Sequence, residues 1–132
     1  MKVVVIGAGY VGLVSGCCFA EFGAQVTCVD LDEARVSSLA QGVVPIYEPG
    51  LDRLLASNTG AERLVFTTDV ASAVPNADLV FIAVGTPRRR GDGYADLSYV
   101  HAAALQVSQH LKGYTVVVNK STVPVGLSLI HI

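Results

Sequence analysis

The chain has 132 residues, of which 52% are hydrophobic and 15% are charged, and its formal net charge is -2. This length suits one domain with a single core, and the charge gives no electrostatic reason to expect nucleic acid or an anionic membrane as a partner. No apolar run approaches a membrane span and the amino terminus lacks the plan of a signal peptide, so we expect a cytoplasmic protein.

The first thirty residues predict a strand, a glycine-rich turn, a helix and a second strand. Lys2–Ile6 and Gln25–Val29 are short, apolar and rich in β-branched residues, which is typical of buried strands. Between them, Gly7–Gly12 has the pattern G-x-G-x-x-G, and Leu13–Phe22 is long enough for a helix. Asp30 follows the second strand. This order and spacing are typical of a βαβ unit that binds a dinucleotide.

Each part of this unit has a physical role. Gly7 permits the tight turn out of the strand, Gly9 lets a pyrophosphate approach the main chain, and Gly12 lets the helix pack closely. The helix N-terminus offers N–H donors and a positive dipole end to the phosphates, and Asp30 is placed to accept hydrogen bonds from the adenosine ribose. The sequence therefore predicts a dinucleotide site, although a domain that has lost its ligand or binds another nucleoside would share the pattern.

The next predicted helix, Leu31–Ala40, carries Arg35 in its first turn. Arg35 either forms a weak surface pair with Asp32 or places its guanidinium beside the adenosine end of the ligand. Asp30 would repel a 2′-phosphate, which favours NAD over NADP, and the nearby guanidinium keeps that preference from being absolute.

The remaining chain continues to alternate between helices and strands. Further helices are predicted at Leu51–Ala56, Val70–Val74 and Leu97–Leu111, and further strands at Arg63–Thr67, Asp78–Val84 and Tyr114–Val118. Alternation of this kind, with right-handed crossovers, predicts an α/β fold with a Rossmann doubly wound parallel sheet of strand order 3-2-1-4-5.

Two threonines follow the last two strands of this predicted sheet. Thr86 comes after the fourth strand and Thr122 after the fifth, and both strands lie on the side of the first strand opposite Asp30. Ligands bind at the carboxyl ends of the strands in such sheets. We therefore expect both hydroxyls to face the pyrophosphate and nicotinamide half of the cofactor, with a turn or cap role as the alternative.

Other reactive residue types have less distinctive settings. Cys17, Cys18 and Cys28 are odd in number and fall within predicted helix and strand, so we expect three core residues and neither disulfides nor a nucleophile. Three adjacent arginines, Arg88–Arg90, favour a solvated loop over a phosphate clamp. His101 and the nearby His110 are expected at the surface, and no metal site is predicted.

Five ordered motifs together resemble the UDP-glucose/GDP-mannose dehydrogenase family, over nearly the whole chain. They are Gly7-Ala-Gly-Tyr-Val-Gly-Leu13, Glu48-Pro-Gly-Leu51, Val84-Gly-Thr-Pro87, Ala95-Asp-Leu97 and Lys120-Ser-Thr-Val-Pro-Val-Gly126. The last motif favours the UDP-glucose branch over the GDP-mannose branch. The resemblance implies four-electron oxidation of a sugar C6 alcohol to a carboxylate, with two NAD molecules used in succession and a nucleotide sugar as the other partner.

The resemblance also assigns cofactor contacts residue by residue. The positions that match NAD contacts of the family are Tyr10, Val11, Asp30, Arg35, Thr86 and Thr122. The family's cysteine nucleophile and its lysine, asparagine and acidic helpers match no residue of this chain. We therefore expect the catalytic residues, and most of the sugar site, to lie outside it.

The resemblance ends at Gly126, before the family's sixth strand. We expect residues 1–126 to be an NAD(P)-binding Rossmann domain that is incomplete at its carboxyl end, with the fifth strand left as an apolar edge. A piece of this kind is expected to be poorly soluble and inactive, and the full-length protein to be a homo-oligomer. Residues 127–132 resemble the translation of a sequencing-adapter end, so we expect a non-native tail, with a divergent natural strand as the alternative.

Two other functions share part of this pattern. A related dehydrogenase could act on GDP-mannose or a UDP-N-acetylhexosamine, since the sugar pocket is expected elsewhere. A non-catalytic NAD-sensing module would have the same glycine turn and acidic residue. A sensing role, however, gives no reason for Glu48-Pro-Gly-Leu51 or for the long loop after the fifth strand.

Overall fold

A computed structural model describes residues 1–124, and the predicted tail at 127–132 lies outside the described residues. The strands form one five-stranded sheet of order β3-β2-β1-β4-β5 in which all neighbours are parallel. The prediction of a Rossmann doubly wound sheet is confirmed. Within residues 1–124, no helix has both the length and the apolar character that crossing a membrane requires.

The elements follow the predicted order closely. The strands are β1 Lys2–Ile6, β2 Gln25–Val29, β3 Leu64–Thr67, β4 Leu79–Ile82 and β5 Val116–Asn119. The helices are α1 Tyr10–Glu21, α2 Glu33–Ala40, α3 Leu51–Gly60, α4 Val70–Ala73 and α5 Ser98–His110. The first two strands have the predicted bounds.

Helix α1 begins earlier than predicted, and α2 begins later. Tyr10 already has helical geometry because Gly9 is the N-cap, so the end of the glycine turn is also the first turn of α1. The carboxylate of Asp32 accepts a hydrogen bond from the Arg35 N–H (3.1 Å) and caps α2, which therefore begins at Glu33. Sequence periodicity does not show where such capping contacts form.

Two core clusters cover the two faces of the sheet. One joins β1 and β2 to α1, α2 and α3, and its largest fully buried side chains are Leu13, Leu39 and Leu55. The other joins β1 and β4 to α4 and α5 through side chains such as Val80 and Val107. Because both faces are covered, the four successive residues of β1 after the exposed Lys2 are all buried, which is the pattern expected of a parallel sheet covered on both faces.

Strand β5 is less well covered. Among residues 1–124 it pairs only with β4, and Val116 and Val117 remain 42% and 43% exposed. This agrees with the predicted apolar edge. The expected poor solubility stays a prediction, because it is a property of many molecules in solution.

Helix α1 packs onto β2 through a glycine that the sequence analysis did not select. A Cβ atom on Gly16 would lie 2.7 Å from Sγ of Cys28, so any larger residue there would force α1 away from the sheet. Burial raises the pKa of the Cys28 thiol and raises that of Cys17 to about 11. These two cysteines are buried as predicted, whereas Cys18 is only partly buried.

A buried amide ties three elements together at the amino-terminal edge of the sheet. Asn58 on α3 is fully buried, and its Nδ2 donates to Oε2 of Glu21 (2.9 Å), at the end of α1. Its Oδ1 accepts from the guanidinium of Arg63 (2.9 and 3.1 Å), just before β3, and Arg63 also donates to the carbonyl of Ala20. Every polar atom of Asn58 is therefore used inside the fold.

We expect Asn58→Ala to lower the free energy of unfolding by about 2–3 kcal/mol, because it leaves partly buried polar groups of Glu21 and Arg63 without their partner. Urea denaturation followed by circular dichroism measures the change. Asn76→Ala is the matched control, since Asn76 is exposed, and it should stay within about 0.5 kcal/mol of the wild type. Equal effects of the two substitutions would contradict a structural role for the buried amide.

Candidate functional site

A crevice of about 730 Å³ opens at the carboxyl ends of the strands. Its walls come from the turn after β1, the turn after β2, the end of β4 and one face of α5. Neighbouring strand ends are in register here, since Ile6 pairs with Val29 on one side and with Ile82 on the other. The crevice therefore lies where the chain reverses its direction across the sheet, the usual ligand position in this architecture.

The glycine turn brings the start of α1 onto the end of β1. Gly7 has φ 105°, which favours glycine, and a Cβ on Gly7 would lie 2.5 Å from the carbonyl oxygen of Ala83. A Cβ on Gly12 would lie only 1.8 Å from the carbonyl oxygen of Gly7. Both positions require glycine for reasons internal to the protein.

Gly9 differs, because an added Cβ would meet no described atom within 4 Å. Gly9 lines the crevice and has φ -75°, a conformation open to any residue. A glycine is therefore not needed at this position for folding. An open approach to the main chain at this point fits a diphosphate that lies against the turn.

The main-chain N–H groups at the start of α1 are the donors that such a diphosphate would use. The first intrahelical hydrogen bond runs from Leu13 N–H to the carbonyl of Gly9 (2.9 Å). The amides of Tyr10, Val11 and Gly12 precede it and have no partner within the helix. At a diphosphate site here, these three residues would take part through the main chain.

The side chains of Tyr10 and Val11 point elsewhere. Both are largely exposed and neither lines the crevice. The Tyr10 hydroxyl donates to Oε2 of Glu48 (2.6 Å), and this hydrogen bond, with the nearby negative charge, raises the pKa of Tyr10. Glu48 was selected from the sequence only as part of the motif Glu48-Pro-Gly-Leu51, and the structure adds this link to α1.

Asp30 lies at the centre of the crevice and holds three donors. Its Oδ2 accepts from the N–H of Ala8 (2.8 Å) in the glycine turn, and its Oδ1 accepts from the N–H of Asp32 (2.9 Å). The Arg35 guanidinium lies 3.1 Å from Oδ2. The side chain of Asp30 is 12% exposed, so the carboxylate is fixed by the protein while part of it still faces the crevice.

The structure shows which side chain Arg35 pairs with. Its guanidinium pairs with Asp30 and lines the crevice, whereas Asp32 engages only the main-chain N–H of Arg35. Of the two alternatives for Arg35, a place beside the adenosine end of a ligand stays a prediction, and the surface pair with Asp32 does not form in this structure. The reason is that Asp32 is used as the N-cap of α2, which turns its carboxylate towards the helix end.

The two predicted threonines lie beside the crevice and not in its lining. Thr86 is half-buried between Gly85 and Pro87, which do line it, and Thr122 is exposed. The loop that carries Thr122 is held by its neighbour Ser121, whose hydroxyl donates to the carbonyl of Val84 (2.9 Å). Ser121 thus fixes this loop against the end of β4, a role the sequence analysis did not assign.

Sequence reasoning also missed the wall that α5 supplies. Tyr99, Ala102, Ala103 and Gln106 line the crevice. They recur at three- and four-residue spacing, so they occupy one face of the helix. That spacing was visible in the sequence, but its meaning depends on how α5 packs across β4.

The other candidate residues form no second site among residues 1–124. No group of three potential metal ligands occurs there. Arg88–Arg90 are exposed, and Arg89 pairs with Asp92 (2.6 Å) in a short antiparallel turn closed by Arg88 and Ala95. His110 Nδ1 lies 2.8 Å from the carbonyl oxygen of Gln106, so this residue is engaged with its own helix.

The parallel sheet, the glycine turn and the acidic residue after β2 define a dinucleotide-binding domain of the Rossmann type. A family model described as "UDP-glucose/GDP-mannose dehydrogenase family, NAD binding domain" matches residues 1–129. The chain belongs to this family, and it corresponds to the NAD-binding domain.

Relatives and solved structures agree with this assignment. The chain is 64% identical to UDP-glucose 6-dehydrogenase of Rhizobium meliloti over 96% of its own length and 29% of that protein. Its fold is similar to a ternary complex of GDP-mannose dehydrogenase from Pseudomonas aeruginosa (TM-score 0.90, 36% identity, 96% of this chain, 29% of that one). It is also similar to a UDP-glucose dehydrogenase from Pyrobaculum islandicum (TM-score 0.85, 42% identity, 95% and 29%). The chain thus spans less than a third of the length of each of these three proteins.

Gly9→Ala and Gly12→Ala form a matched pair at the glycine turn. We expect Gly12→Ala to lower the free energy of unfolding by about 3 kcal/mol or more, because its Cβ would overlap a main-chain oxygen. Gly9→Ala should cost about 1 kcal/mol or less and yet weaken NADH binding by roughly tenfold or more, since its methyl group would enter the space for the diphosphate.

Chemical denaturation and isothermal titration calorimetry with NADH measure the two effects. Gly60→Ala serves as a control on α3, where an added Cβ meets nothing within 4 Å. Unchanged NADH affinity in a folded Gly9→Ala protein would contradict the position assigned to the diphosphate.

Proposed function

We propose that NAD binds with its diphosphate against Gly7, Gly9 and Gly12 and with its adenosine ribose on Asp30. The observation that carries this proposal is the hydrogen bond from the Ala8 N–H to the Asp30 carboxylate. This hydrogen bond fixes the carboxylate beside the open main chain at Gly9. The ribose and the diphosphate of an adenosine diphosphate would therefore find the carboxylate and the glycine turn already in position. The amides of Tyr10 and Val11 add donors at the diphosphate.

The charge around Asp30 favours NAD over NADP. A 2′-phosphate would lie beside a carboxylate that is only partly screened by the Arg35 guanidinium. Arg35 is already paired with Asp30, so using it for a phosphate would cost that pair. The ribose hydroxyls of NAD, in contrast, can donate to the remaining lone pairs of the same carboxylate.

Thr86 and Thr122 are proposed to face the pyrophosphate and nicotinamide half. The support is their position: each follows a strand on the far side of β1 from Asp30, and the residues on both sides of Thr86 line the crevice. Neither hydroxyl is assigned a step in the reaction.

We infer that the whole protein is a UDP-glucose 6-dehydrogenase. It would oxidise the C6 alcohol of UDP-glucose to the carboxylate of UDP-glucuronate, with two NAD reduced to NADH, one water consumed and protons released. The support is the high identity to the Rhizobium protein of that name. Residues 1–126 would form the cofactor domain, and the cysteine nucleophile and the sugar pocket would belong to the rest of the protein, which would act in the cytoplasm as a homo-oligomer.

A dehydrogenase for GDP-mannose or for a UDP-N-acetylhexosamine is the second candidate. The solved GDP-mannose dehydrogenase is similar in fold to this chain, at lower identity than the Rhizobium protein. The pocket that would select the sugar is proposed to lie outside this chain. A non-catalytic NAD sensor is disfavoured by the family match, which extends over almost all of the chain.

The cofactor assignment is tested on the chain itself. We expect the 132-residue protein to bind NADH more tightly than NADPH in calorimetric titrations, and to show hardly any affinity for UDP-glucose. Asp30→Ala should weaken the affinity for NADH by roughly ten- to a hundredfold, because it removes charge-assisted hydrogen bonds to the ribose. It should also reduce the preference for NADH over NADPH.

Asp52→Ala is the control for this experiment, since Asp52 is an exposed acidic residue on α3 that does not line the crevice. It should bind both cofactors as the wild type does. If Asp30→Ala stays folded and binds NADH normally, the ribose assignment is wrong.

The substrate assignment needs the full-length enzyme. We expect UDP-glucose to yield two NADH per sugar in a spectrophotometric assay at 340 nm. GDP-mannose and UDP-N-acetylglucosamine should yield hardly any. Preferential oxidation of either of these would transfer the assignment to the second candidate and leave the cofactor site intact.

A further inference from the structure

Helix α5 presents an unusual wall to the crevice. Ala102 and Ala103 are small, and Gln106 follows one turn later on the same face. Val107, next in sequence, is buried in the core, which anchors this part of the helix against the sheet. Gln106 itself is half-buried and lines the crevice.

The proposed positions of the diphosphate and ribose determine which part of the cofactor would contact α5. The diphosphate is assigned to the glycine turn and the ribose to Asp30, so the base occupies the remaining part of the crevice beside Asp30. That part is apolar, with Leu31 after β2 and Val70 at the start of α4 among its lining residues. A flat heteroaromatic base needs apolar surfaces on its faces and polar partners only at its edge.

We propose that the side-chain amide of Gln106 recognises the polar edge of the adenine ring. This inference rests on the proposed NAD site and adds a specificity-determining residue to it. An amide carries both a donor and an acceptor, which matches the adenine N6 amino group and an adjacent ring nitrogen. The hydrogen bond with His110 uses the main-chain carbonyl of Gln106 and so leaves the side-chain amide for the base.

The two alanines give this arrangement its shape. Ala102 and Ala103 line the crevice together with Gln106, so larger side chains at these two positions would narrow it. In this proposal the two methyl groups give apolar contact that does not distinguish one base from another, and the Gln106 amide selects adenine through hydrogen bonds.

A titration with NAD and 1,N6-etheno-NAD tests the proposal on the 132-residue chain. The etheno bridge blocks N1 and removes the N6 donors, while the ribose, diphosphate and nicotinamide are unchanged. We expect wild-type protein to bind etheno-NAD about three- to tenfold more weakly than NAD, the effect of one hydrogen bond or two. Gln106→Leu should weaken the affinity for NAD by a similar factor, and the difference in affinity between NAD and etheno-NAD should nearly vanish.

Gln109→Leu is the matched control, because Gln109 lies on the same helix, is exposed and does not line the crevice. It should keep the wild-type difference between NAD and etheno-NAD. A Gln106→Leu protein that retains the full difference, or a wild type that binds both ligands equally, overturns the role of Gln106. A wild type that binds neither ligand overturns the proposed cofactor site itself.

Discussion

The close approach between Gly7 and Gly12 is the constraint on which the site depends. No side chain can fit between the end of β1 and the first turn of α1, so the helix begins directly above the strand and directs its free amides over the sheet edge. The same turn brings the Ala8 N–H within reach of Asp30 on the neighbouring strand. One steric requirement thus sets the position of the α1 amides that are proposed to bind the diphosphate, and of the Asp30 carboxylate.

Asp30 turns this local geometry into a connection across the sheet. Its carboxylate joins the turn after β1, the cap region of α2 and the Arg35 guanidinium, so it is oriented before any ligand arrives. Orientation of this kind lowers the entropic cost of binding. It also concentrates negative charge at the position proposed for the ribose. The proposed preference for NAD over NADP therefore rests on a carboxylate that also connects parts of the fold.

The sequence predicted the features that depend on local pattern. The apolar runs of β1 and β2 and the glycine spacing have a direct physical signal, and strand order follows from crossover handedness. The α5 wall and the Ser121 contact could not be predicted because they depend on packing between elements distant in the chain. The partner of Arg35 was missed for a related reason: Asp32 had two possible uses, and only the folded helix end selects the capping one.

The buried Asn58 cluster lies at the opposite edge of the sheet from the crevice. It joins the end of α1, α3 and the start of β3 through one side chain, whereas the crevice is lined by the turn before α1 and by residues of other elements, and by none of α3 or β3. Rigidity and recognition are therefore spatially separate in this domain. A protein engineer could strengthen the amino-terminal ends of the strands, or attach a surface or a label there, without altering the residues that line the crevice.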